Sequence, residues 1–320
     1  MLKHTKTMHD QFANKVILVT GGTGSIGSEI VRQLLSTSAA QVRIYSRDEH
    51  KQHELKQELP KDNRLRFLIG DVRDRDRLDF AFQNVDIVFH AAALKHVPVC
   101  EYNPFEALKT NVVGTQNIID VARKHDIEKM IAVSTDKAVN PESVLGASKL
   151  MMERLVTAAN LAAGSTRTRY TCVRFGNVIG SRGSVWHLWR KQIEAGGPVT
   201  VTHRAMQRYF MEIPEAVQLI FDATRLMQGG EIFVLKMKKR KMVDFVQDLI
   251  KKYAEGKKIK LVFTGLRAGE KLDEALFTSD EASHMQETKT LYIITPQKLE
   301  PAFTYPSYTY PGGKPARVRY

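Results

Sequence analysis

The residues from Thr20 to Gly27 read Thr-Gly-Gly-Thr-Gly-Ser-Ile-Gly, with glycines at 21, 24 and 27. Such a spacing permits a tight turn, close approach of backbone N–H groups to a pyrophosphate, and close packing of a helix on a strand. A helix beginning at Ser25 and Ile26 would turn its N-terminus to the anion, so Gly21, Thr23, Gly24, Ser25, Ile26 and Gly27 are expected to cradle a dinucleotide. About 20 residues further on, Ser46, Arg47 and Asp48 fall where the adenosine ribose should lie. An acidic residue there favours NAD, whereas an arginine accommodates the 2′-phosphate of NADP. Both are present; Arg47 comes first and Ser46 can bond a phosphate, which favours NADP, with NAD as the alternative. Asp71 and Val72 are expected beside the adenine, and Ala91, Ala92 and Ala93 supply the small side chains that a close-lying cofactor needs.

Positioning these residues requires a layered scaffold, and the rest of the chain reads as one. Lys15–Thr20 is a short, nearly all-apolar run, as befits a strand buried on both faces. It is followed by an amphipathic helix carrying Ile26, Ile30, Val31, Leu34 and Leu35. Further strands are expected at Gln41–Tyr45, Leu65–Ile69, Val85–His90, Lys129–Ser134, Tyr170–Arg174 and Ile232–Leu235, with helices between most of them, including Pro104–Lys124. This alternation predicts an α/β fold with a Rossmann-type doubly wound parallel sheet. The NADP-binding part is expected at 13–175, with a return to the sheet near 209–235. A smaller substrate-binding region is expected at 176–208 and 236–295, and an extended tail at 296–320.

The chain has 320 residues, of which 43% are hydrophobic and 26% charged, enough to bury a proper core. Two cysteines, Cys100 and Cys172, give neither a disulfide framework nor zinc spacing, so no metal site is expected. With no signal-peptide pattern and no long apolar span, a soluble cytoplasmic protein is expected. The net charge of +13 is concentrated around 236–260. Without interleaved aromatics it reads as a solvated basic face, not as a nucleic-acid site.

Nine segments together carry a family resemblance: TGGTGSIG, YSRDE, GDVRD, HAAALKHVP, EYNPFEALKTNVVGTQN, STDKAVNP, GASK, RFGNVIGSRGSV and GLRAGEKLDE. Over about residues 14–280 the chain resembles the extended short-chain dehydrogenases that modify nucleotide sugars, and most closely the UDP-N-acetylglucosamine 4,6-dehydratases of the carbon-5-inverting kind. The resemblance implies a redox-neutral reaction. Hydride leaves carbon 4 of the hexose, the resulting ketone acidifies the carbon 5 proton, water leaves from carbon 6, and hydride returns there. The product would be a UDP-4-keto-6-deoxy-N-acetylhexosamine for surface or flagellar glycan precursors, made with a tightly held, recycled cofactor.

By the same resemblance Lys137 would be the base at carbon 5, Asp136 the acid for the leaving hydroxyl, and Lys149 the holder of the nicotinamide ribose. The family's Tyr-x-x-x-Lys pattern is broken: four residues before Lys149 stands Leu145, which cannot move a proton. Asp136, relayed through Thr135, is the expected acceptor of the carbon 4 proton. Asn177, Ser184 and Val185 resemble the sugar-nucleotide cradle, while Lys95 and Asn111 should lie near the sugar and nicotinamide. Arg208 and Arg267 would meet the diphosphate and Glu270 the uridine ribose. Two other readings stay open: a nucleotide-sugar 4-epimerase, and a catalytically retired protein that binds NADP or a nucleotide sugar. Homo-oligomers, dimeric or larger, are expected by analogy.

Overall fold

The computed structural model describes residues 11–162, 166–297 and 308–316. The chain opens with β1 (Val16–Thr20), α1 (Ser25–Leu35), β2 (Gln41–Ser46), α2 (Glu49–Glu58), β3 (Leu65–Ile69), α3 (Arg75–Ala81) and β4 (Ile87–His90). Then α4 (Val97–Tyr102), α5 (Pro104–Ala107), a π-helical turn (Leu108–Val113) and α6 (Gly114–Lys124) lead to β5 (Lys129–Thr135). A 3-10 turn at Asp136–Ala138 precedes α7 (Val144–Leu161) and β6 (Arg169–Phe175). The remaining elements are β7 (Asn177–Val178), α8 (Val185–Glu194), β8 (Val199–Val201), β9 (Gln207–Met211), α9 (Ile213–Leu226), β10 (Ile232–Leu235) and β11 (Lys239–Lys241). They are followed by α10 (Met242–Tyr253), β12 (Leu261–Phe263), α11 (Ser279–Ser283), β13 (Met285–Glu287), β14 (Leu291–Ile294) and β15 (Lys314–Pro315).

The main sheet runs β15-β13-β14-β10-β6-β5-β4-β1-β2-β3, and its pairings from β10 to β3 are parallel. Buried strands such as Val16–Thr20 and Ile87–His90 explain the continuous apolar runs in the sequence. One face packs α1 and α9 through Ile30, Leu34, Val217 and Ile220; the other packs α3, α6 and α7 through Leu78, Ile118, Met152 and Val156. The order reverses between β1 and β4, where Thr20 and His90 are register partners. In doubly wound folds that crevice, at the carboxyl ends of the strands, is where ligands bind.

Three parts of the sequence reading change. Residues 285–294, expected in the substrate-binding region, add β13 and β14 to the main sheet as an antiparallel hairpin, which needs no crossover helix and so leaves no βαβ signal. The return to the main sheet begins at α9, because β9 pairs with β7 and β11 in a separate small sheet. Within the expected tail, residues 308–316 are docked: Tyr310 is buried, its hydroxyl donates to Glu231 at 2.9 Å, and β15 pairs with β13. Residues 298–307 and 317–320 of the tail lie outside the described residues. A third apolar cluster, with Trp189, Val199, Val201, Phe245 and Leu249, holds the small lobe together. Among the described residues no helix is long and apolar enough to cross a membrane.

Candidate active site

The glycine loop sits on the end of β1. Gly21 adopts a positive φ of 65°, and a Cβ there would lie 2.6 Å from the backbone N of Ala92. A Cβ on Gly27 would lie 2.3 Å from the Gly21 carbonyl oxygen. Loop, helix and the Ala91–Ala93 segment are therefore packed too closely for side chains. Helix α1 begins after Gly24 with no side-chain cap and no acid in its first turn, leaving its N-terminal partial positive charge for an anion. These residues fit a dinucleotide pyrophosphate. Over the loop, Arg182 donates its backbone N–H to Ser25 Oγ at 2.8 Å and its guanidinium to the Thr23 carbonyl at 2.8 Å. The stretch from Asn177 to Val185 is thereby tied to the glycine cradle.

At the ribose end, Asp48 is spent as the cap of α2, accepting from Lys51 N at 3.0 Å and pairing with Lys51 Nζ at 2.8 Å. The Arg47 side chain is half exposed and reaches Asp71 at 3.5 Å, while Ser46 Oγ accepts from Gln52 at 3.0 Å. Asp71 is gripped by Arg73, and Val72 is buried beneath Gly114.

His90 is buried between two hydroxyls, with Nδ1 2.7 Å from Thr20 Oγ1 and Nε2 3.0 Å from Thr115 Oγ1. Thr115 gives its proton to the Asn111 carbonyl, so it must accept from Nε2–H, and Thr20 must donate to Nδ1. The ring is thus neutral. Burial, with the Lys149 charge nearby, pushes its pKa down to about 3. Below an ordinary histidine value the unfolded state therefore binds the extra proton, and stability falls as pH drops from about 6.5 toward 3. The full shift corresponds to something on the order of 5 kcal/mol. Thermal melts should show this loss in the native protein, and His90→Gln should lack that share of the slope; equal slopes would contradict the assignment.

The proposed reaction centre forms where β5 ends. Thr135 caps the 3-10 turn that follows, its hydroxyl accepting from Lys137 N, with Asp136 buried and Lys137 partly exposed. Asp136 is completely buried; its Oδ1 accepts from Thr135 Oγ1 at 3.0 Å and from Lys137 Nζ at 3.0 Å, while Oδ2 has no partner among the described residues. Lys137 Nζ also lies 3.4 Å from Asn177 Oδ1 and 3.5 Å from Glu274 Oε1. Lys149 on α7 is buried, donates to the Val133 carbonyl at 2.8 Å, and is lowered by burial to a pKa of about 8. Leu145, one turn earlier, packs with Cys100 and Ala107 in a small apolar cluster.

The substrate-side residues divide. Ser184 ends the loop before α8 with its Oγ unpartnered among the described residues, and Val185 opens that helix. Gly183 packs on the His96 ring, joining this loop to the segment that carries Lys95. Asn111, in the π-helical turn, spends its amide on Leu94 N and O and on Ser148 Oγ, at 2.9–3.1 Å. It fixes the backbone beside Lys95 instead of facing a ligand. Arg208 is corrected similarly: it is buried, donating to the carbonyls of Gln207, Lys271 and Leu272. Its guanidinium thus anchors the loop that delivers Glu274 and is not offered to a diphosphate. Arg267 and Glu270 pair with each other, so the Glu270 carboxylate is already engaged. Glu274 itself was missed: a glutamate closing a polar, glycine-containing loop reads as surface charge, yet it is buried.

Fold, glycine cradle and the Lys149-bearing helix define an extended short-chain dehydrogenase. The sequence profile of the polysaccharide biosynthesis protein family matches residues 17–296, and the chain belongs to that family. It is 49% identical over 294 residues to a protein named as an uncharacterized membrane protein of Methanocaldococcus jannaschii, covering 90% of this chain and 88% of that one. It is 42% identical over 287 residues to the UDP-N-acetylglucosamine 4,6-dehydratase (inverting) of Campylobacter jejuni, covering 89% of this chain and 84% of that one. The X-ray structure of Pen from Bacillus thuringiensis superposes with a TM-score of 0.87 at 42% identity, covering 89% of each chain.

Proposed function

We propose that the protein is a UDP-N-acetylglucosamine 4,6-dehydratase, a hydro-lyase of polysaccharide precursor synthesis, and that it inverts carbon 5. The observation that carries this is the pair of buried Asp136 and partly exposed Lys137 at the end of β5, joined by Thr135, Asn177 and Glu274. A 4-epimerase returns hydride to carbon 4 and has no use for an acid–base pair aimed at carbons 5 and 6. When bound, the nicotinamide supplies the acceptor for hydride from carbon 4 and the donor to carbon 6.

The chain's own residues handle the protons. Thr135 relays the carbon 4 hydroxyl proton to Asp136, whose Oδ1 it already contacts. Lys137 removes the carbon 5 proton, and Asp136 returns its proton to the carbon 6 hydroxyl as that leaves as water; carbon 5 then takes a proton from solvent on the face opposite Lys137, which inverts it, while Lys137 releases its own proton to solvent. Lys149 orients the nicotinamide ribose, Asn177 and Lys95 border the sugar, and Ser184 and Val185 border the nucleotide. Purified protein given UDP-N-acetylglucosamine without added reductant should form a species lacking one water; unchanged substrate would count against the reading.

We read the dinucleotide as NADP. Asp48, the residue that would favour NAD, is committed to capping α2, whereas Arg47 projects from the end of β2. Charge-assisted bonds to phosphate contribute about 1.5–3 kcal/mol. Arg47→Ala should therefore weaken NADP binding by roughly 10- to 100-fold and leave NAD binding within about twofold. Equal losses for both in fluorescence titrations would reverse the preference.

A homo-oligomer goes with this reading. Val99, Tyr102, Phe105, Leu108, Val113 and Met151 are exposed on the helical segments 97–113 and on α7, which pack together. An apolar face of this kind suits a second copy of the chain. A cytoplasmic site of action is in keeping with two buried, free cysteines.

A further inference from the structure

Two buried carboxylates flank a single amine at the reaction centre. Lys137 Nζ stands 3.0 Å from Asp136 Oδ1 and 3.5 Å from Glu274 Oε1. Glu274 is 4% exposed, and its Oε2, like Asp136 Oδ2, has no hydrogen-bond partner among the described residues. Buried carboxylate oxygens are ordinarily satisfied, so two orphans around one lysine need an explanation. Glu274 also faces a cavity of about 370 Å³, lined among others by Tyr209, Lys239 and Lys271.

The proton count of the proposed reaction supplies one. At the outset Asp136 must be a carboxylate, to take the carbon 4 proton, and Lys137 must be a neutral amine, to take the carbon 5 proton. With both carboxyls ionised, the site's one acidic proton sits on Lys137 as ammonium, where it blocks the base. We infer that Glu274 holds this proton during turnover. An N–H bond of Lys137 breaks and an O–H bond forms at Glu274 Oε1, leaving amine and carboxylic acid; once Lys137 has released the proton it takes from carbon 5 to solvent, the reverse transfer restores the ion pair. No electrons move and no co-reactant is consumed. Glu274 acts through Lys137 and is a positioning residue, not one that touches the sugar.

The surroundings favour a protonatable Glu274. Burial raises its pKa and so does the neighbouring Asp136, against the opposing charges of Lys137, Arg208 and Lys271. Arg208 holds the Lys271–Leu272 backbone, fixing the carboxyl two residues further on.

This inference rests on the dehydratase reading, and the test separates the two. Glu274→Gln keeps size and a hydrogen-bond acceptor but cannot take a proton. Its kcat should fall by about 100-fold with KM little changed, and its rate should keep rising with pH beyond the wild-type plateau, because the amine can then lose its proton only to solvent. Glu274→Asp should recover the wild-type pH profile. Independently of activity, protein carrying carboxyl-13C glutamate should show one NMR resonance, absent in Glu274→Gln, that titrates above the ordinary glutamate range. Wild-type turnover with a Glu274→Gln rate within threefold and an unshifted pH profile would overturn the role of Glu274 alone. The absence of product from the wild type would overturn the dehydratase reading and this role with it.

Discussion

Asp136→Asn is expected to cut dehydration by about 10³-fold while leaving the fold and ligand binding in place. Asparagine preserves the shape of a side chain that is fully buried and can still accept from Thr135 and Lys137 through its amide oxygen. It can neither take the carbon 4 proton nor give one to the departing hydroxyl. Lys137→Met should be equally inactive but less informative. It strips the buried Asp136 carboxylate of its cation, and breaking a buried pair on one side costs about 3–5 kcal/mol. Rapid-quench assays of Asp136→Asn, with melting midpoints as a control, decide the matter. A correctly folded variant working within tenfold of the wild type would remove Asp136 from the mechanism.

The second large effect is expected at Gly27. Its added Cβ would stand 2.3 Å from the Gly21 carbonyl oxygen, 2.8 Å from Gly22 Cα and 2.9 Å from Gly21 C, all backbone atoms of the cradle itself. No rotamer relieves such contacts, so α1 must move away from the loop, and with it the amides that face the pyrophosphate. Gly27→Ala should weaken dinucleotide binding by at least about 100-fold, the loss of two charge-assisted bonds, and should purify without cofactor. Gly24→Ala, whose Cβ would meet only the Gly21 oxygen at 3.2 Å, should lose far less. Equal retention of dinucleotide by the two variants, read by absorbance after denaturation, would show that close packing at Gly27 does not shape the site.

The parts of this fold that the sequence disclosed are those governed by local pattern. Parallel strands covered on both faces read as unbroken apolar runs, and the loop after β1 tolerates only glycine where backbone meets backbone. The hairpin of Met285–Glu287 and Leu291–Ile294 carries no such signal, since its strands are short and lie beyond β10 on the sheet. Within the site, residue type reveals chemistry but not direction. Arg208 and Arg267 have the right groups for a diphosphate, yet one is turned into backbone carbonyls and the other onto Glu270. Asn111 is polar and buried for the sake of Leu94. Glu274 reaches Lys137 across 137 positions of sequence, a meeting that only tertiary structure brings about.

Substrate labelled with deuterium at carbon 4 tests the central reading most directly. UDP-N-acetylglucosamine so labelled, incubated with the purified protein and no added reductant, should yield a 4-keto product whose carbon 6 methyl group carries the deuterium. Deuterium recovered at carbon 4 of an epimerised sugar, or left in unreacted substrate, would contradict the dehydratase assignment.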